Sequence, residues 1–344
     1  MELNEVKELL KATIPTAEPV LLMGAPGVGK SAVVKQAAIY CGYKMVTLNP
    51  ALLDPTDIGG IPMLHNESGN LIRALDESLM SLVNAQEPTV LFLDELGQAS
   101  AAMQSACAPI ILDRKLGGHS LPSNVSVVCA SNRRQDRAGV SGIVSHLVSR
   151  MITLEINISL DEWITWALDN YENISSEVVG FLRFRPGLLH KWDEDVAAKA
   201  AIGLPYPCPR SWERVSRVLD LKLSSRIESE AINGCIGEGA GREFMAYLNS
   251  SREIPDVDKL LDEPENIEWD HEPSKRYALA CALAWRVKKR QTDVIKSARY
   301  AADKGHGEFA VLILRDSASI DASIVFNNEY RALSNTRLGE YLKN

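Results

Sequence analysis

Gly24 to Ser31, in GAPGVGKS, satisfy G-x-x-x-x-G-K-[ST] at every fixed position. The chemistry that needs this spacing is the binding of a polyphosphate. Several donors must converge on a phosphate, and glycines let backbone N–H groups point inward with no side chain in the way. Gly24, Gly27 and Gly29 supply that freedom, with Ala25, Pro26 and Val28 completing the loop. An apolar run precedes the loop and a helix-forming run follows it, so the anion faces a helix N-terminus. Lys30 then reaches the β and γ phosphates, and the Ser31 hydroxyl ligates Mg²⁺. The expected ligands are ATP and magnesium.

Hydrolysis needs a carboxylate at the end of another buried strand. In TVLFLDELG four apolar residues deliver Asp94 to the sheet edge, where it holds the magnesium shell. Glu95 follows as the base that polarises an attacking water. A third apolar strand, in VSVVCASNRRQDRAGV, ends in Asn132, which can hold that water and report on the γ-phosphate; a simple turn asparagine is the alternative. Together these groups favour hydrolysis of ATP over transfer to a small acceptor.

The elements that must position these groups are short apolar runs of strand length: Val20–Met23, Lys44–Leu48, Val90–Leu93, Val125–Ser131 and Met151–Ile156. Helical patterns or glycine-bearing loops separate them, which predicts a parallel sheet covered on both faces. After about Asn157 the strand signals stop. LDEWITWALDN puts Trp163, Trp166 and Ala167 on one helical face, and SWERVSRVLDLKL does the same for Trp212, Val215, Val218 and Leu219. Tryptophans at that spacing are core rather than a stacking platform. LDEPENIEWDHEPSK reads as an acidic linker or solvated loop, and helical periodicity returns in RYALACALAWRVKKR and GEFAVLILRD. Lys288, Lys289 and Arg290 read as a solvated helix face or, less simply, a nucleic-acid patch.

With 344 residues, 46% of them hydrophobic and 24% charged, the chain is long enough for two or three packed units. Its formal charge of −8 argues against a protein that mainly neutralises a phosphate backbone. The sequence has no apolar run long enough to span a bilayer, and MELNEVKELLKAT is charged and amphipathic, which points to a cytoplasmic protein with no membrane partner. Cys41, Cys107, Cys129, Cys208, Cys235 and Cys281 lie far apart with no C-x-x-C pair, as expected of buried free thiols.

The order of Gly24–Ser31, LFLDE, ASN, HLVSRM and PCPRSWERV resembles the AAA+ ATPases. DPTDIGGIP, NRRQDRAGV and FLRFRPGLLH are similar to a bacterial and phage-borne group of the MoxR-like branch, over most of the chain. The resemblance implies an α/β fold: an αβα P-loop core with a parallel five-stranded sheet over residues 1–157. A helical lid follows over 158–224, and a small helical C-terminal extension over 225–344. It also assigns two arginines that spacing leaves open. Arg150, in HLVSRM, matches the arginine finger that reaches a neighbouring subunit's ATP in trans, although Met151 stands where a Phe commonly follows. Arg210, in PCPRSW, matches the lid's sensor arginine on its own subunit's nucleotide. The alternative for each is a surface ion pair, and Arg133, Arg134 and Arg137 are the fallback fingers. Such proteins form rings, so a homo-hexamer is implied, with a protein client that often carries a von Willebrand factor A domain.

The loop NPALLDPTDIGGIPMLHNESGNL carries an exposed apolar tip at Ile61 to Leu64, facing a pore, a partner, or simply solvent. Asp57 within it has no evident chemistry, and His119 reads as a hairpin-turn residue. The first expectation is thus a chaperone-like remodelling ATPase. A nucleic-acid machine, such as a helicase loader or packaging accessory, is the alternative, disfavoured by the acidic balance. A small-molecule kinase is disfavoured by Glu95 and Arg150.

Overall fold

The computed structural model describes residues 1–64, 71–136, 142–269, 272–334 and 336. It divides into two compact units, Met1–Ser159 with Trp192–Ala201, and Leu160–Lys191 with Ile202–Asn344.

The strands all lie in the first unit: β1 (Val20–Met23), β2 (Lys44–Leu48), β3 (Ile61–Leu64), β4 (Leu71–Ala74), β5 (Thr89–Leu93), β6 (Lys115–Leu116), β7 (His119–Ser120), β8 (Val125–Ser131) and β9 (Ile152–Glu155). Five of them form one parallel sheet in the order β2-β5-β8-β1-β9. The expected sheet strands are present, with Thr89 added to one and the ends of the last trimmed to Ile152–Glu155. Every residue of β5 and β8 is buried, which is why these runs are largely apolar on both faces rather than alternating, with only Thr89, Ser126 and Ser131 polar.

The side-chain period of two divides that apolar content between the two faces. Leu91, Leu93, Val127 and Cys129 pack on one side with Met103, Cys107 and Ile110 of the helix Ala101–Asp113. Val90, Phe92, Val128 and Ala130 pack on the other with α1 (Leu3–Thr13) and α2 (Lys30–Tyr40), through Val6, Leu10, Val33 and Val34. Each such side chain contributes about 1.5–3 kcal/mol on burial. α2 is capped by Cys41, and Gly42, at φ +73°, turns the chain toward β2.

The second unit is helical, with no strand among its described residues. The helix Leu160–Asp169 buries Trp163 and Ala167 and leaves Trp166 half-buried, so the pair is core packing. The helix Pro209–Asp220 buries Trp212, whose indole donates to the Leu188 carbonyl at 2.7 Å. Phe181 contacts Trp212, Phe244 and Tyr247 at centroid distances of 5.4, 5.1 and 5.4 Å. The same helix, Ser176–Phe184, carries Arg183, which makes a two-pronged ion pair with buried Asp316. Removing one member of such a pair leaves a buried charge alone.

The acidic segment is not the solvated linker expected. Leu261, Pro264, Ile267 and Trp269 are buried while Asp262, Glu263, Glu265 and Glu268 are exposed. The spacing of three, around a 3₁₀ turn at Pro264–Asn266, puts one apolar side chain per turn inward and the acids outward. Charges at Lys288 and Arg290 are also used internally. The Lys288 ammonium sits 4.5 Å over the Tyr171 ring, and Arg290 pairs with Asp262 and Asp293.

Cys107, Cys129, Cys208 and Cys281 are buried free thiols, and burial pushes Cys107 and Cys281 up to about 12. No helix among the described residues is long and apolar enough to cross a membrane.

Gly180 gives the second unit a sharp test. A Cβ there would lie 2.3 Å from the Tyr247 hydroxyl, a buried oxygen with no hydrogen-bond partner among the described residues. Gly180→Ala is expected to cost about 1–3 kcal/mol by overpacking. Tyr247→Phe removes the obstructing atom and an unsatisfied group, so it should leave the melting temperature unchanged or raise it and should rescue Gly180→Ala in the double variant. Additive losses in thermal denaturation would show that the contact is not the cause.

Candidate nucleotide site

Parallel strands all present their carboxyl ends at one edge, and that edge is where open α/β sheets bind ligands. Here the register aligns Met23 of β1 with Ser131 of β8 and Glu155 of β9, and Leu93 of β5 with Leu48 of β2 and Cys129 of β8. The next residues along are therefore Gly24, Asn132, Asp94 and Asn49. Four strands deliver a loop, an amide, a carboxylate and a second amide to the same edge.

The loop between β1 and α2 keeps the conformation its glycines permit. Gly27 has φ +80° and Gly29 φ +103°, both in the region L side chains rarely adopt. A Cβ on Gly24 would meet Val28 at 3.1 Å and Ile156 at 3.4 Å. Gly24 N–H donates to the Ser131 carbonyl at 3.2 Å, so the loop leaves the sheet tied to β8. Ala25 and Val28 are buried and anchor the loop from beneath.

Lys30 opens α2 and is only 9% exposed. Its ammonium donates to the Gly24 carbonyl at 2.8 Å, the Ala25 carbonyl at 3.1 Å and Asn132 Oδ1 at 2.8 Å. The next residue, Ser31, donates its hydroxyl to Asp94 Oδ2 at 2.9 Å. Hydroxyl and carboxylate converge as two hard oxygen donors, which suits magnesium. That ion keeps waters and phosphate oxygens in its shell rather than a full protein cage. A pair of protein oxygens, the Ser31 hydroxyl and the Asp94 carboxylate, fits that habit.

Asp94 Oδ1 accepts the backbone N–H of Glu95 at 3.0 Å, and Glu95 itself has φ +58°, a turn that a non-glycine residue adopts only when its surroundings fix it. The Glu95 carboxylate accepts the Asn49 side-chain amide at 3.0 Å. Asn49 was missed in the sequence: it reads as a loop residue after Lys44–Leu48, and only the adjacency of β2 and β5 reveals its partner. Gln104 was missed too. Its buried amide donates to the Ala99 and Gly142 carbonyls and accepts from Val144 N–H, fixing the chain just ahead of the short helix Ser145–Val148.

The arginines separate by what they touch. Arg150 is exposed, directly before β9. Arg210 is exposed too, in the first turn of the helix Pro209–Asp220 in the second unit. Arg133 is bound to Asp136 and Glu155, which raises its pKa, so it is the weakest of the fallback fingers. Arg134 is exposed, and Arg137 lies outside the described residues. Asp57 has a structural task, its carboxylate accepting Asp54 N–H at 2.8 Å to cap the helix Pro55–Gly59. His119 is exposed and begins β7 after the Gly117–Gly118 turn.

Residues 20–154 match the family described as "ATPase family associated with various cellular activities (AAA)". The chain carries an AAA ATPase domain. Among curated proteins, a stretch of 172 residues, 48% of the chain, is 26% identical to Midasin of Giardia intestinalis, of which it spans 4%. Solved structures similar to the chain include the RuvB Holliday junction branch migration motor of Thermotoga maritima, 18% identical over 86% of this chain and 87% of that one, at a TM-score of 0.40. NtrX of Brucella abortus in complex with ATP is 13% identical over 88% and 67%, at a TM-score of 0.42.

For this AAA domain, Gly29→Ala isolates the backbone requirement, because a methyl there has room, with Leu3 at 3.4 Å, but the φ of +103° does not suit alanine. The strain is about 1–3 kcal/mol. Equilibrium binding of a fluorescent ATP analogue should weaken by about 5- to 150-fold. Gly239→Ala, in a helix with open space, should bind as the parent does.

Proposed function

We propose that the protein hydrolyses ATP at the interfaces of a homo-hexameric ring and uses the cycle to remodel a protein client. The observation that carries this reading is the bonded chain Asn132–Lys30 and Ser31–Asp94 beside Glu95–Asn49 on one sheet edge. In it the loop Gly24–Ser31 cradles the triphosphate through backbone N–H groups, and Lys30 exchanges its carbonyl partners for phosphate oxygens. Bound magnesium, held by Ser31 and by Asp94 through water, supplies neutralisation of the phosphate charge. Glu95 takes the proton from the attacking water, and Asn49 fixes the direction in which that carboxylate faces. Asn132 orients the water.

Arg150 stabilises charge on the transferring phosphoryl group of the neighbouring subunit, the use for which a planar guanidinium fork is suited. Its exposure supports a role in trans. Arg210 does the same within its own subunit, from a lid over 158–224, and 225–344 is a helical C-terminal extension. The resemblance of DPTDIGGIP, NRRQDRAGV and FLRFRPGLLH to the MoxR-like branch supports a client with a von Willebrand factor A domain as the first partner to test.

A polypeptide client is supported by the hairpin of β3 and β4. Met63 lies opposite Ile72 and Ile61 opposite Ala74, making an apolar ribbon whose Ile61, Met63 and Ile72 are 62, 52 and 44% exposed. Arg73 holds its base through the Gly59 and Gly60 carbonyls. An apolar ribbon suits protein better than a phosphate backbone, as does the charge of −8.

Two experiments test the reading. Arg150→Ala and Glu95→Gln should each bind ATP yet lose turnover by about 10³-fold. Mixing the two inactive variants should restore part of the activity, because some interfaces then combine an intact Glu95 with an intact Arg150; mixtures that stay inactive while co-assembling would rule out action in trans. Affinity capture from native cells with Glu95→Gln and ATP should retain a protein that survives nuclease treatment. Recovery of nucleic acid alone would favour the nucleic-acid machine.

A further inference from the structure

We propose that Asp136 and Trp192 are positioning residues for hydrolysis, a clamp that keeps the Asn132 amide on the site; this rests on the ATPase reading above. Asn132 acts through its side chain, so the peptide that follows it must not rotate. That single peptide group is held at both ends. Its carbonyl, Asn132 O, accepts the Ser131 hydroxyl at 2.8 Å, and its N–H, on Arg133, donates to Asp136 Oδ2 at 3.0 Å.

Asp136 is only 4% exposed, and the Arg133 guanidinium closes onto the same carboxylate, with Nε at 3.0 Å from Oδ2 and Nη2 at 2.9 Å from Oδ1. The far nitrogen, Nη1, reaches Glu155 at the end of β9 at 2.6 Å. One carboxylate therefore fixes the Asn132 peptide and orients an arginine that ties the end of β8 to Glu155, the last residue of β9.

The carbonyl of Asp136 is held in turn. Trp192 Nε1 donates to it at 3.1 Å, and the ring packs on the apolar cluster that includes Val20, Leu22, Ala25 and Val28. Trp192 opens Trp192–Ala201, the segment that belongs to the first unit although the chain on either side belongs to the second. The clamp thus stands on a stretch covalently continuous with the second unit in both directions. A catalytic amide displaced by about 1 Å can cost about 10²-fold in rate without loss of binding.

Asp136→Asn keeps the shape and removes the charge, and Trp192→Phe keeps the ring and removes its N–H. With the full-length protein, Asp136→Asn should lower kcat about 100-fold and Trp192→Phe about 3- to 10-fold, each with MgATP affinity within threefold of the parent. Trp166→Phe, outside the clamp, serves as the matched control. If kcat of Trp192→Phe stays within twofold of the parent, or if kcat and MgATP affinity fall together for both variants, the clamp is refuted. Should Asp136→Asn not fold, Trp192→Phe alone decides. A parent protein with no turnover sensitive to Lys30→Ala would overturn the ATPase reading and this inference with it, whereas Lys30-dependent turnover indifferent to both clamp variants overturns this inference alone.

Discussion

A lysine ammonium that is 9% exposed must be met by acceptors, and the site is arranged around meeting that of Lys30. Two of its acceptors are carbonyls of the loop and one is the Asn132 amide. For all three to reach one nitrogen, β1 and β8 must be neighbours, parallel, and in the register that pairs Met23 with Ser131. A slip of one residue would send alternate side chains to the opposite face and take Asn132 with them. The buried faces of β8 prevent that slip, because it would exchange Val127 and Cys129 for Val128 and Ala130 against two differently shaped helical layers. Core packing thus sets the position of a polar group it never touches.

The legible parts of the sequence were those in which one segment carries its own partners. Loop, strand and helix are contiguous from Val20 to Tyr40, and the five strands of the parallel sheet are mainly apolar runs whose ends fall within one residue of those their composition suggests. Asn49 and Trp192 were not legible, since their partners are 46 and 56 residues away and only the sheet order or the return of a segment joins them. Arg133 and Asp136 are three residues apart and could have been paired from sequence, because an Asp side chain readily accepts a backbone N–H three residues back in a turn. By net acidity the segment from Leu261 to Trp269 reads as a linker, but its apolar spacing decides how it packs. Four apolar residues at intervals of three or two outvote four acids when the acids can all face water.

The helical unit follows another rule. Its periodicity predicts helices well and their partners poorly, since a 3.6-residue stripe says that a face is buried but not against what. Phe181, Trp212, Phe244 and Tyr247 come from three helices, and Arg183 meets Asp316 across 133 residues. The chain's excursion back to the first unit at Trp192–Ala201 has no compositional marker either. It is a matter of where Trp192 finds both an apolar bed and a carbonyl for its N–H, the two demands a half-buried indole makes together.

The arginines show how structure narrows what a motif leaves open. A guanidinium has five donors in a fixed fork, and those already given to carboxylates must be stripped away before a phosphate can use them. Arg133 has spent its fork on Asp136 and Glu155, and Arg183 on Asp316. Recruiting either would strand a carboxylate that is 3 or 2% exposed at its side chain, a cost of several kcal/mol for a buried charge. Arg150 is exposed and makes no side-chain hydrogen bond among the described residues, so an anion could use its donors without breaking any of these pairs. The same reasoning makes Arg133 the brace that keeps the β8 and β9 ends together, with Arg150 a few residues away at the start of β9.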